Sequence, residues 1–344
     1  MKKQWKKTVS IMLVFVMSAL LLAGCGGTAS ETSPGNSANN ASTDKIILKF
    51  AHVMSEDSIA QDIALDVKNY VEEKSNGEIQ IDIYPSSALG GETDYVEGLQ
   101  TGTIDMALIT ISVFQSWCSE TALFDIPFMI DGFDTAYGAW NSDICEPMKE
   151  QIRELGMEPY GGCALGARML TNNVRPVVTP DDVKGLTLRT MVAEVPVETW
   201  ELLGANVVAM NIGEVFSALQ TGVVDGQENP ITAIKSNSFQ EVQKYLSLTG
   251  HTFSLYILPL SNVAAGKLTS EQLEIVKEAI ELAAAESGKH LDDRTDVDLE
   301  AMEAVGMEVN EVDLAAFQEA CQPIYDKYSA IYGDKIQRIL DKDF

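Results

Sequence analysis

Positive charge is scarce in this 344-residue chain. Lysine and arginine number 24 against 51 aspartates and glutamates, a formal net charge of −27. That balance argues against nucleic acid as a partner, because a phosphate backbone demands a basic groove, and against adhesion to anionic lipid by charge. Histidine is rarer still. Three histidines are scattered along the chain, and no CxxC occurs among the five cysteines. No zinc spacing results, and neither a metal nor a cofactor is called for. No GxSxG, HExxH or P-loop occurs, nor a GxGxxG placed after a strand, so no enzyme chemistry is indicated. A long apolar run is missing too: Thr8–Ala23 falls short of the roughly 20 residues that span a bilayer.

What is present begins with that short run. Met1–Lys7 carries four lysines, Thr8–Ala23 is apolar, and Leu22-Ala23-Gly24 leads into Cys25. The order reads as a signal peptide over residues 1–24. The small residues before the cysteine resemble a lipoprotein lipobox, with Cys25 as the diacylglycerol-carrying residue and a lipid anchor to the cell membrane as the consequence. Residues 25–43 form a polar tether without hydrophobic periodicity. Without the four leader lysines the mature chain stands at about −31. An anionic ligand would need a buried positive charge of its own. Residues 44–344 suffice for two lobes. Cys118, Cys145, Cys163 and Cys321 fit small core positions, although four cysteines outside the cytoplasm also allow three complete disulfide pairings.

Strands alternate with helices from residue 44 onward. Ile46–Ala51 and Glu78–Tyr84 read as strands around a helix at Asp57–Lys74, followed by a strand at Ile104–Ile109 and a helical stretch at Asp134–Leu155. Leu186–Thr190 alternates as a strand, Glu214–Thr221 is an amphipathic helix stopped by Gly222, and Val223–Asp225 is a strand again. Thr269 to about Met302 is helical, with Gly288 weakening its continuity. The pattern LQTG-x-x-D occurs at Leu99–Asp105 and again at Leu219–Asp225, 120 residues on. Each copy closes a helix with glycine and opens a strand, which predicts two similar α/β units and a cleft between two lobes.

Arg189 and Asn229 fall at the ends of two neighbouring strands, Asn229 as an N-cap ahead of Pro230. Ligands of open α/β sheets collect outside the carboxyl ends of strands. An arginine fork there matches a carboxylate.

FAHV at 50–53, YPSSALGGE at 84–92, LQTGTIDMAL at 99–108, GAR at 166–168, DDVKGLTLR at 181–189, GEVFSALQTGVVDGQENP at 213–230 and TGH at 249–251 form an ordered series. The series resembles the DctP-like solute-binding proteins of TRAP (tripartite ATP-independent periplasmic) transporters. The resemblance implies a two-lobed periplasmic-binding-protein-like α/β fold, with a ligand cleft between the lobes and a long helix spanning both. Lobe I would comprise 44–165 and 255–294, and lobe II 166–254 and 295–344. It implies an extracytoplasmic monomer that binds a small-molecule carboxylate, an organic or sugar acid, and works with the small and large membrane subunits of a TRAP transporter. A sensor feeding a receptor kinase and an ABC-type binding lipoprotein are the alternatives.

By the same resemblance Arg189 is the carboxylate anchor and Arg168 a second arginine reaching into the cleft. Asn229 stands beside them, and Glu92 and Thr110 contribute from the first lobe. His251 joins a polar network behind the site or is simply structural. The sialic-acid branch carries glutamate where Thr110 stands, asparagine where Val192 stands and phenylalanine where Ile212 stands, so a smaller or less polar acid is expected. Trp117, Trp140 and Trp200 read as core, and the acidic run from Asp292 to Glu300 as a solvated helix face.

Overall fold

The computed structural model describes residues 45–344. Cys25 and the leader and tether expected before residue 44 lie outside the described residues. The chain opens with β1 (Ile46–Ala51), α1 (Ile59–Lys74), β2 (Ile79–Tyr84), α2 (Glu92–Thr101), β3 (Met106–Ala107) and β4 (Ile109–Thr110), then α3 (Phe133–Trp140) and α4 (Glu146–Glu154). β5 (Met157–Asn172) is a single 16-residue strand. The second half runs β6 (Thr187–Thr190), α5 (Glu194–Leu202), β7 (Asn206–Ala209), α6 (Ile212–Thr221), β8 (Gly226–Pro230), α7 (Ile231–Ser236) and β9 (Tyr245–Ser247). After β10 (Phe253–Ser261) come α8 (Asn262–Ala265), α9 (Ser270–Ala304), β11 (Glu308–Asn310), α10 (Leu314–Ala320), α11 (Gln322–Tyr332) and α12 (Asp334–Asp341).

The strand order β2-β1-β3-β10-β5-β8-β6-β7 reads alike from either end. β1 lies parallel between β2 and β3, and β6 lies parallel between β7 and β8. Between these triplets the antiparallel β10 and β5 join the two halves. The repeated motif explains the match. α2 ends at Gly102 and α6 at Gly222, both left-handed with φ of 73° and 72°, a conformation that a Cβ disfavours. Three residues later Asp105 accepts the Lys49 N–H of β1 at 2.8 Å, and Asp225 accepts the Thr187 N–H of β6 at 2.8 Å. Each aspartate pins the start of its unit's third strand to the first strand, at Lys49 inside β1 and at Thr187, the first residue of β6.

One core, from Leu48 and Phe50 to Ile257 and Leu260, fills the first half. Two smaller cores flank the second sheet, one around Val215, Phe239 and Leu246, the other around Leu170, Leu188, Trp200 and Phe317. α9 runs unbroken for 35 residues from a Thr269–Gln272 capping box. It packs on α1, α3, α7 and β5. Gly288 does not interrupt it: a Cβ there would strike the Phe133 ring, so glycine permits close helix contact.

Several expectations need correction. The Ile104–Ile109 strand is two short strands broken at Leu108, whose N–H instead donates to the Ala51 carbonyl. The Asp134–Leu155 helix is divided at Asn141–Cys145, with Pro147 opening α4. Val223–Asp225 is a turn, and the strand begins at Gly226. The tail assigned to the second lobe divides. Phe317 and Cys321 stay there, but Ile324, Tyr328, Tyr332, Ile336 and Ile339 enter the first core. Tyr332 Oη donates to the Ser119 carbonyl at 2.9 Å, and Lys335 and Arg338 pair with Glu120 and Asp143. The four cysteines are buried and free, and Trp140 and Trp200 are core residues.

The paired aspartates yield a stability prediction. A hydrogen bond to a charged group contributes about 1.5–3 kcal/mol, so Asp225→Ala should lose about that much in urea unfolding. Asp105→Ala should lose more, because Asp105 also holds Lys267 at 2.7 Å and is buried. A loss below about 0.5 kcal/mol for both, the range of ordinary surface substitutions, would contradict the pinning role.

Candidate functional site

The carboxyl ends of β4, β6 and β8 converge with the start of α2. Thr110 is the last residue of β4, Arg189 the third of four in β6, and Asn229 the fourth of five in β8. Arg189 lies opposite Gln227 in parallel register, and Met169 opposite Asn229 in antiparallel register. Arg168 therefore enters from β5, one residue before Met169.

Arg168 is buried. Its Nε and Nη2 donate to the two carboxylate oxygens of Glu228, Nη2 at 3.0 Å. Nη2 also donates to the Glu228 carbonyl at 2.6 Å and to Asn229 Oδ1 at 3.1 Å. Burial pushes the Glu228 carboxyl up, but the Arg168 charge and a hydrogen bond from His251 outweigh it and hold the group at about 2. His251 Nε2 lies 3.2 Å from Glu228 and Nδ1 lies 2.9 Å from Thr249 Oγ1. Since the ionised Glu228 only accepts, Nε2 bears the proton. Trp200 packs edge-on to the same imidazole at 4.9 Å.

Arg189 is held differently. Nε and Nη2 both donate to the Met210 carbonyl, at 3.0 and 2.7 Å. Burial pulls this guanidinium down to about 10, against the Glu228 charge, so it remains charged at neutral pH. No carboxylate of the described residues lies within 4.0 Å of it. Nη1 of Arg168 and Nη1 of Arg189 are both buried without a hydrogen-bond partner. Such groups are costly to leave unpaired.

The first lobe supplies the opposing wall. Glu92 Oε1 accepts both the N–H and the hydroxyl of Thr110, each at 2.8 Å. Burial raises the Glu92 carboxyl, while Thr110 and the two arginines pull it back. Tyr256, paired with Thr110 across β4 and β10, places a buried, unpartnered Oη near Glu92 and Arg168. Asp125, buried, accepts from Ser112 at 2.7 Å and from Gln115. Desolvation pushes it up to about 7, against the Ser112 hydrogen bond and the Arg168 charge.

All five expected residues thus fall into one region, in two groups: Arg168 with Asn229, and Glu92 with Thr110, while Arg189 binds a main-chain carbonyl. Asn229 is not an N-cap. Pro230 occupies that position without a side-chain bond, and Asn229 Nδ2 donates to Gln227 at 2.6 Å. Pairing of β8 with β5 outweighs the capping tendency of Asn-Pro. Glu228, Asp125 and Tyr256 escaped the sequence reading. Glu228 alone had a signal, since a buried arginine requires a buried acid. Two concavities of about 470 and 490 Å³ flank α9 elsewhere. Their lysines, Lys289 in both and Lys342 in the first, are exposed. Buried charge, not size, marks the site.

The model of the family described as bacterial extracellular solute-binding protein, family 7 (DctP), matches residues 50–331. A solute-binding protein of Roseobacter denitrificans, RD1_1052, is 32% identical over 321 residues, 92% of this chain and 97% of that one. A TRAP periplasmic solute-binding protein from Polaromonas, bound to D-erythronate, superposes with TM-score 0.83 at 31% identity, covering 86% of this chain and 98% of the other. Another from Sulfurospirillum deleyianum, with bound succinate, gives TM-score 0.82 at 26% identity over 86% and 98%. This two-lobed α/β chain belongs to the bacterial extracellular solute-binding proteins of family 7.

Proposed function

We propose that the protein captures a small organic or sugar acid outside the cytoplasm and delivers it to the small and large membrane subunits of a TRAP-type transporter, without chemical change to the ligand. The observation that carries this reading is the pair of buried, unpartnered Nη1 groups of Arg168 and Arg189, two guanidinium groups near Glu92, with Tyr256 near Arg168. A carboxylate accepts from both guanidinium groups at once. Arg189 is the ligand's anchor, since two of its nitrogens are spent on a neutral carbonyl and its charge stays uncompensated at contact range. Arg168 is chiefly the partner of Glu228, and Asn229, which accepts from it, helps to set its plane. Relatives with bound D-erythronate and succinate fit a site for small acids. The two lobes close on ligand about the β5–β10 pair. Cys25 tethers the mature protein to the membrane through its diacylglycerol.

The two arginines should separate in experiment. Removing one partner of a buried charge pair costs about 2–5 kcal/mol of binding. Arg189→Ala should therefore weaken the best acid of a thermal-shift screen by roughly 30-fold to several thousandfold, with little change in the melting point of the ligand-free protein. Arg189→Lys should recover only part of that affinity. Replacing the acid by its amide should weaken wild type strongly and Arg189→Ala little; additive losses in calorimetry would remove Arg189 from the contact. Arg168→Ala leaves Glu228 buried and unpaired, so it should instead lose about 3–5 kcal/mol of folding stability. A stable Arg168→Ala protein would reverse these roles.

Anchoring is tested by fatty-acid labelling in cells. Wild type should carry label and sediment with membranes, and Cys25→Ser should do neither. An unlabelled wild-type protein would end the tethering proposal.

A further inference from the structure

We infer that Gln115 is a positioning residue for ligand capture: it caps helix α5 from the opposite lobe, so that closing the lobes completes a helix terminus which opening leaves bare. The inference rests on the proposed closure of the lobes and adds to it a contact that no ligand makes.

α5 has no cap of its own. Ala193 holds the N-cap position without a side-chain acceptor, although its extended backbone suits one. The helix therefore starts with unmet donors. Pro196, third in the helix, contributes none, and the Val197 N–H reaches the Ala193 carbonyl at 3.4 Å. The N–H groups of Glu194 and Val195 remain, and Gln115 Oε1 accepts both, at 2.8 and 3.3 Å. Gln115 lies in the tight turn Ile111–Ser116 that follows β4 in the first lobe. Its amide is held the right way round. Nε2 donates to buried Asp125, which also accepts from Ser112 at 2.7 Å, and Oε1 is thereby turned to α5.

The surroundings make the start of α5 a joint between the lobes. Val195 is fully buried and packs into the first core, although α5 belongs to the second lobe. Lys327 of α11, next to Tyr328 of the first core, reaches Glu198 at 2.5 Å and Glu194 at 3.4 Å. Such exposed ion pairs contribute little. The Gln115 bonds go instead to main-chain groups that Ala193 cannot serve, and they are the same whatever occupies the cleft. They favour the closed state, and the apparent affinity for an acid scales with the population of that state. The lobes meet again at Gly91 and Asn211, where a Cβ on Gly91 would stand 3.7 Å from that of Asn211.

A disulfide between Gly91→Cys and Asn211→Cys, which that separation allows, reports closure without any ligand. The background is a Cys25→Ser chain, whose cysteines at 118, 145, 163 and 321 are buried. Adding Gln115→Ala should slow formation of the disulfide roughly 3- to 30-fold, the weight of the hydrogen bonds lost. Ala193→Ser gives α5 a cap of its own, so it should slow the disulfide too while raising the melting temperature. This second variant decides the matter if Gln115→Ala does not fold. Rates that neither variant slows overturn the inference. So does a Gln115→Ala protein that melts earlier but closes at the parent rate, since Gln115 would then cap α5 inside one rigid body. In stopped flow, D-erythronate and succinate should leave Gln115→Ala faster by one common factor, because Gln115 touches neither. Factors that differ more than about threefold would make Gln115 a ligand contact and overturn the inference. Failure of both acids to bind counts against the carboxylate reading alone, and the disulfide rate still decides the cap.

Discussion

The buried pair of Arg168 with Glu228 is the constraint on which the rest of the site depends. Both groups are about 1% exposed, and neither tolerates that burial alone. The pairing fixes β5 against β8, because Arg168 stands opposite Pro230 and reaches back two residues along the neighbouring strand. It also leaves a defined remainder. With Nε and Nη2 committed, only Nη1 stays free, and Asn229 is drawn into the same plane. His251 and Trp200 close the far side of Glu228 so that its charge cannot be relieved by water.

That pair lies in the second lobe next to the strands that link it to the first. The order of strands about β10 and β5 is a repeat, and the repeat has a mechanical consequence. The first lobe brings Thr110, at the end of β4, and the second brings Asn229, near the end of β8, to the same cleft. A ligand touching both must lie across the connection. β5 supplies Arg168 and Cys163 within a few residues, so the strand that connects the lobes also carries a site residue. In the proposed closure, closing and binding would be one event, because the contacts that favour the closed arrangement would be those the ligand completes. The amide of Gln115 bridges the halves already: it donates to Asp125 and accepts from the N–H groups of Glu194 and Val195 at the start of α5.

Much of this was legible in the residues because it is local. The two LQTG-x-x-D copies announced the repeat, since a glycine C-cap and an aspartate three residues on act within one turn and one neighbouring strand. Arg189 was legible as a residue near the carboxyl end of β6 for the same reason, since Leu186–Thr190 alternates within one strand, while its anchoring role was implied only by the resemblance of DDVKGLTLR. The failures at the site and in the tail are non-local. Asn-Pro reads as the start of a helix until β5 pairs with β8 from nearly 60 residues away and keeps Asn229 in the sheet. The last helices are amphipathic, and amphipathicity says that a face is buried without saying in which core. Their tyrosines and isoleucines return to the first lobe because Ser119, Glu120 and Asp143 meet them there. The bond from Thr110 to Glu92 was hidden likewise, as it needs the start of α2 to stand over the end of β4.

A chain of net charge −27 that holds an anion must isolate a few positive charges from the general field. Exposed lysines cannot do this, since solvent and salt screen them and their own acidic neighbours neutralise them; Lys289 with Asp293 is one such pair. Burial removes the screening but imposes a desolvation cost, which is why Arg189 is pulled down to about 10. Arginine is the residue for that position because even so reduced it keeps its proton at neutral pH, where a lysine so buried could lose its own. The Met210 carbonyl then orients the fork without cancelling its charge, and a second carboxylate in its place would have ended the site's attraction for an acid. The distinction between a carbonyl under Arg189 and a carboxylate under Arg168 is what the proposed division of roles rests on, one arginine as the ligand's partner and the other as a part of the fold.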